Sequence, residues 1–249
     1  MALLEQITTG LTPAPRRILI YGQHGVGKST FGASAPNPIF IQTEDGLSGL
    51  DCARFPLAES FNDVMAALSA LHREEHAFET VVIDSLDWLE SHIFDEVCRE
   101  RGARTLEDLP YGRGYTFALD HWKRFLEGVS ALRRDRNMTV ILIAHAKIER
   151  FANPETDTYD RYVPSLHKAA SARVQEWADE VLFASFKVHT KQTSEGFDRK
   201  RVQGIGSGQR IVRTEERPSH VAKNRLGLPE ELPLSWEAYA SHINPREGA

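Results

Sequence analysis

Residues Gly22-Gln23-His24-Gly25-Val26-Gly27-Lys28-Ser29 fit the pattern G-x-x-x-x-G-K-[ST] at every fixed position, and Thr30 follows. No other run constrains the chain so tightly. Arg17–Tyr21 (RILIY) before it has the apolar content of a buried strand, and Lys28–Ala35 after it leaves room for a short helix ahead of Pro36 and Pro38. Strand, glycine-rich turn and helix together make a phosphate cradle. Glycines let successive backbone N–H groups converge on an anion, and the helix start adds positive dipole. Lys28 is placed to reach β- and γ-phosphates and the Ser29 hydroxyl to ligate Mg²⁺, so Gly22 through Thr30 form the expected nucleotide-binding set.

Such a loop needs a sheet behind it. Ile39–Gln42, Thr80–Asp84 (TVVID) and Thr139–Ala144 (TVILIA) are further short apolar runs without polar alternation, as expected of strands covered on both faces. Helical spacing runs from Ser60, a capping residue, to about His72, and again over Leu86–Arg101, Tyr115–Arg134 and Ser165–Asp179. Alternating strands and helices predict an α/β fold with a mostly parallel sheet. Glu149–Tyr162 reads as a long polar and aromatic loop, Val181–Val188 as a strand, and Thr190–Gly208 as a glycine-rich hairpin or loop. Ile211–Thr214 and His220–Ala222 are expected to pair as antiparallel edge strands, and Ser235–His242 to form a last short helix. The expected organisation is an extension over 1–15, one core over 16–243 and a tail over 244–249.

Asp84 ends a buried strand, where ligands sit in open α/β sheets, and supplies the acid a phosphate-bound metal requires. Its alternative role is to cap the helix that follows. Glu44 ends the strand Ile39-Phe40-Ile41-Gln42-Thr43 and can accept a proton from water beside the cradle.

The order of these motifs, completed by Ile141-Leu142-Ile143-Ala144-His145, resembles the RecA-type P-loop ATPase core. The resemblance implies a twisted, mostly parallel sheet with helices on both faces and antiparallel edge strands near the C-terminus. It implies ATP and Mg²⁺ as cofactors, Glu44 as general base and Asp84 holding Mg²⁺ through water. It makes His145 the γ-phosphate sensor, although that family often has glutamine there. Ala222-Lys223-Asn224-Arg225-Leu226-Gly227 resembles the K-x-R segment of RecA-like hexameric helicases, which implies that Lys223 and Arg225 reach a neighbouring subunit's ATP. From Arg17 to Trp236 the chain resembles short, core-only RecA-like ATP-binding proteins of phages, some proposed to be single-strand annealing recombinases. That implies a slow ATPase, active as a homo-oligomeric ring or filament on single-stranded DNA, in the host cytoplasm, with a single-strand DNA-binding protein as a further partner. A replication-associated motor or helicase loader, and a nucleotide-dependent scaffold without turnover, are the alternatives.

One segment is basic enough to meet a polyanion, nucleic acid or nucleotide phosphates, or to form a solvated hairpin surface. The net formal charge of the 249 residues is −5, yet 187–225 carries ten basic and four acidic side chains. Lys147, Arg150, Phe151, Arg161 and Tyr162, in the region after the fourth strand, combine cations with aromatic rings as single-strand binding does. Arg113, between Tyr111 and Tyr115, is a further candidate. No run of about 18 apolar residues predicts a membrane span, no secretory leader is evident, and Cys52 and Cys98 make no disulfide framework. His72-Arg73-Glu74-Glu75-His76 matches a zinc-peptidase pattern, H-x-x-E-H, without a completing glutamate.

Overall fold

In the computed structural model of the chain, Ile18, Leu19, Ile20 and Tyr21 of strand β1 (Arg17–Gly22) are fully buried, two facing each side of a sheet. The structure describes residues 5, 7, 9, 14–194 and 200–243, with only the backbone of 188–194 and 200–207. Most of the expected extension, the tip of the glycine-rich hairpin and the tail 244–249 lie outside the described residues.

Helix α1 (Lys28–Ala33) leads to β2 (Pro38–Gln42) and a two-residue β3 (Ala53–Arg54). Helix α2 (Phe61–Arg73) starts where expected: the Ser60 hydroxyl accepts from the Asp63 N–H at 3.2 Å. Then come β4 (Thr80–Asp84), α3 (Leu86–Arg101), α4 (Arg113–Asp135) and β5 (Thr139–Phe151). Strand β6 (Tyr159–Pro164), α5 (Lys168–Trp177), β7 (Glu180–Ser194) and β8 (Lys200–Arg213) follow. Strands β9 (Lys223–Asn224) and β10 (Glu231–Pro233) and helix α6 (Trp236–Ile243) close the chain.

The strand order is β10-β8-β7-β1-β5-β4-β2-β3, parallel from β7 to β3 and antiparallel at β8 and β10. Period-two alternation splits the core. Leu19, Tyr21, Ile41, Val81 and Ile83 pack under α2, α3, α4 and α5; Ile18, Ile20, Phe40 and Val82 pack with Phe31 of α1 and Tyr239 of α6. The α/β sheet with helices on both faces and antiparallel C-terminal strands is therefore as expected. Register brings Gly22 level with His145, and Asp84 level with Gln42 and Ile143, at the C-terminal ends of the parallel strands.

Two expectations are corrected. Glu149–Tyr162 is a hairpin for most of its length: β5 continues to Phe151 and pairs antiparallel with β6, from Ala146↔Pro164 to Phe151↔Tyr159. Cross-strand contacts compensate for its polar composition. The Phe151 and Tyr159 rings lie 5.5 Å apart, and the Arg161 guanidinium covers Phe151 at 3.9 Å. Nor does His220–Ala222 pair with Ile211–Thr214. Ile211–Arg213 is sandwiched between β7 and β10, while His220 bridges Tyr162 and Arg217. A run of three residues carries too few ladder bonds to choose its own partner. Among the described residues, no helix is long and apolar enough to cross a membrane.

Candidate nucleotide site

The cradle follows from where β1 ends. A Cβ on Gly22 would sit 2.1 Å from the Ala184 carbonyl oxygen, so only glycine lets β1 and β7 stay paired as the chain turns. At the loop's other end Gly27 has φ 110°, which a side chain would strain. The turn buries Lys28, whose ammonium donates to the carbonyls of Gly22 (3.0 Å) and Gln23 (2.9 Å). Burial pulls its pKa down, and the carboxylates of Asp84, Asp87 and Glu44 oppose that pull.

Ser29, next in α1, donates its hydroxyl to Asp84 Oδ2 at 2.6 Å. Burial raises the Asp84 pKa, and this hydrogen bond partly offsets the rise. Two hard oxygen donors from elements 55 residues apart therefore already converge beside the cradle, the donor chemistry Mg²⁺ requires.

The ends of β2 and β4 are locked together before Glu44 leaves the sheet. Thr43 N–H donates to Asp84 O at 2.8 Å, its hydroxyl donates to Ser85 O at 2.7 Å, and Ser85 N–H donates back to that hydroxyl at 2.8 Å. Across from Glu44, Asp87 in the first turn of α3 holds His145 twice. Its Oδ1 accepts the His145 backbone N–H at 3.0 Å, and its Oδ2 lies 2.8 Å from Nδ1. Although burial pushes the Asp87 carboxyl up, these bonds from His145 keep its pKa below the usual range. The other ring nitrogen, Nε2, is left 4.0 Å from Glu44 Oε1. The His24 ring stacks on His145, with centroids 3.7 Å apart.

A cavity of about 440 Å³ joins these parts; Gly25, Gly27, Lys28, Ser29, Thr30, Glu44, Asp84 and His145 line it, with Arg210 of β8. It contains six of the side chains singled out from sequence: Lys28, Ser29, Thr30, Glu44, Asp84 and His145. Its lining adds one charged side chain not assigned from sequence, Arg210, while Asp87 and the expected His24 bear on it through His145. Asp87 was discoverable, because an acid three residues after Asp84 falls in the first turn of the next helix. Nothing local marks Arg210, since its place depends on a distant strand pairing.

Lys223 and Arg225 are elsewhere. Strand β9 pairs with the start of β7, Lys223 opposite Val181 and Asn224 opposite Glu180, at the opposite end of the sheet from the loop. Lys223 Nζ donates to the carbonyls of Gln175 (2.9 Å), Glu176 (3.0 Å) and Ala178 (2.6 Å), closing the end of α5. Arg225 lies 3.3 Å from Asp179, which Arg17 also holds at 2.6 Å, and its side chain is 56% exposed.

The residues considered for DNA divide as well. Arg150, Phe151 and Arg161 sit on the β5–β6 hairpin, with Ile148 exposed beside them. Lys147 is tied to the Leu166 carbonyl at 2.7 Å with its side chain still 40% exposed, while the Tyr162 ring stacks on Phe183 at 5.1 Å and turns inward. Arg113 opens α4, 5.4 Å from the Phe117 ring, after a fully exposed Tyr111. The zinc-like pattern does not converge: His72 meets Asp135 and His76 meets the Leu71 carbonyl. Glu96, Glu100 and His121 do cluster within 4.8 Å, but both Glu96 oxygens are held by Arg99.

Residues 14–226 match the AAA-domain family. The chain is 24% identical over 215 residues to an SPbeta prophage-derived uncharacterized protein, YorG, of Bacillus subtilis (strain 168). That match covers 84% of this chain but 59% of the relative, so the chain spans about three fifths of the relative's length. Among solved structures it is similar to the RadB recombinase at 15% identity and a TM-score of 0.49, covering 90% of each chain.

Proposed function

Because the chain belongs to the AAA-domain family, we propose that it is a Mg·ATP-dependent ATPase that works on single-stranded DNA, as an oligomer, in phage recombination or strand annealing. The observation that carries the nucleotide half is the convergence of Lys28, Ser29, Glu44, Asp84 and His145 on one cavity. Lys28 neutralises the β/γ-phosphates. Ser29 and Asp84 hold the Mg²⁺, which when bound offsets charge on the same phosphates. Glu44 accepts the proton of the attacking water. His145, fixed by Asp87 through Nδ1, presents Nε2 to the region between Glu44 and the cradle.

The DNA half is supported by a hairpin that carries Arg150, Phe151 and Arg161 away from the sheet, and by the prophage source of the relative. The test is ATP binding and turnover with and without single-stranded DNA, with molar mass measured by light scattering in both states. Lys28→Ala serves as the binding-deficient control. Stimulation of turnover by single strands, together with a rise in mass, is the expected result. Turnover indifferent to DNA removes the DNA half of the reading and leaves the ATPase.

A further inference from the structure

Arg210 comes to the cavity from β8, a strand separated from β1 by β7 and outside anything the loop motif predicts. Its backbone is fastened on both edges: it stands opposite Phe186 of β7, and its carbonyl accepts the Leu234 N–H at 3.1 Å. Immediately before it the ladder is broken. Phe186 pairs with Arg210, but Val188 pairs with Gly206, so β8 carries two more residues than β7 across this interval. Gly208, at φ 70°, takes up the kink. Irregularities of this kind re-aim a side chain without loosening the strand that bears it.

The side chain it re-aims lies against the phosphate loop. Arg210 Nη1 is 3.1 Å, and Cδ 3.7 Å, from where a Cβ on Gly27 would stand. None of the ion pairs among the described residues includes Arg210, whose guanidinium carbon stands 6.0 Å from the centre of the Phe186 ring. Lys28, the other cation lining this cavity, is buried with three carboxylates around it. Arg210 is thus a guanidinium aimed at an anion site on a rigid mount, with no carboxylate of its own.

We propose that Arg210 is a nucleotide-phosphate clamp acting within its own subunit, its guanidinium gripping the α/β-phosphates beside Gly27; this rests on the nucleotide reading above. The assignment to α/β follows from position. Arg210 fills the space beside Gly27 where a side chain would stand, and the loop backbone there cradles those phosphates, whereas the loop lysine reaches outward to β and γ. A planar fork with several N–H donors suits two phosphate oxygens at once.

The experiment measures ADP and ATP affinity of the full chain by calorimetry for the parent, Lys28→Ala and Arg210→Ala, with thermal melts recorded without nucleotide. Loss of a charged hydrogen-bond pair predicts that Arg210→Ala weakens ADP and ATP alike by roughly 10- to 100-fold. Its melt should be unchanged, because the ladder uses the Arg210 backbone. Arg210→Gln, which keeps length and polarity, replaces the alanine variant if that one melts early. A loss under about threefold, or one confined to ATP, overturns the clamp. Mixing Arg210→Ala with Lys28→Ala subunits should give no more ATPase than the two separately, and a gain overturns action within one subunit. Failure of the parent itself to bind ADP is a different result, which overturns the nucleotide reading as well.

Discussion

At the residue scale the site is a set of buried charges held by neighbours. Glu44 leaves a clamped strand end with its carboxylate beside His145 and the cradle. Glu44→Gln keeps shape and hydrogen bonding but cannot take a proton. ATP affinity should hold while turnover falls on the order of 10²–10⁴-fold, read in a phosphate-release assay. Unchanged turnover would move the base to another carboxylate. A second buried acid has nothing to do with phosphate. Glu180 opens β7 fully buried; burial first, then the Asp179 charge, push its pKa up to about 7, and Tyr239 Oη lies 3.2 Å from Oε2. The folded state therefore binds this proton more tightly than the unfolded state. The cost of ionising it is absent below about pH 4.5, grows up to about pH 7, and is complete above. Urea unfolding of Glu180→Gln against the parent should show the variant more stable at pH 8, by about 3 kcal/mol at most, and the gap closing by pH 5. An equal gap at both pH values would mean that packing, not ionisation, separates the two proteins.

At the element scale the hairpin of β5 and β6 is the part whose form the sequence disguised. Its residues are polar enough to read as loop, yet they pair from Ala146↔Pro164 to Phe151↔Tyr159, with Arg161 covering the Phe151 ring. Arg150→Ala with Arg161→Ala should weaken single-strand binding and flatten its dependence on salt by about two phosphate contacts, while ADP affinity stays at the parent value. Unaltered binding to labelled oligonucleotides would leave the hairpin a purely architectural element. The elements behind the cradle were, by contrast, open to reading. Buried parallel strands declare themselves by unbroken apolar runs, and Ser60 and Gly102 punctuate their helices by local chemistry. What stayed hidden was long-range: which partner β8 and His220 would take, and that the break before Arg210 would turn it toward Gly27.

At the scale of the whole molecule, arginines from the first strand and from beyond the last long strand meet at the foot of the sheet, where Asp179 holds Arg17 and Arg225. Lys223 is spent on the end of α5, which leaves Arg225, more than half exposed, to meet a neighbouring subunit. If it reaches that neighbour's γ-phosphate, ATPase per subunit should rise with protein concentration, and Arg225→Ala should bind ATP but turn it over poorly. Mixing it with Glu44→Gln should recover part of the rate. Mixed oligomers that form yet stay inactive would exclude the arrangement. Strand β5, finally, belongs to two regions at once. His145, stacked on His24 and held by Asp87, sits on it where it leaves the parallel sheet, and Phe151 ends it at the hairpin's far reach. The six residue steps from one to the other span about 20 Å of continuous strand. Extended backbone laddered on one side behaves as a lever with its fulcrum at the sheet edge, so a tilt of a few degrees at the histidine is magnified into ångströms at the tip.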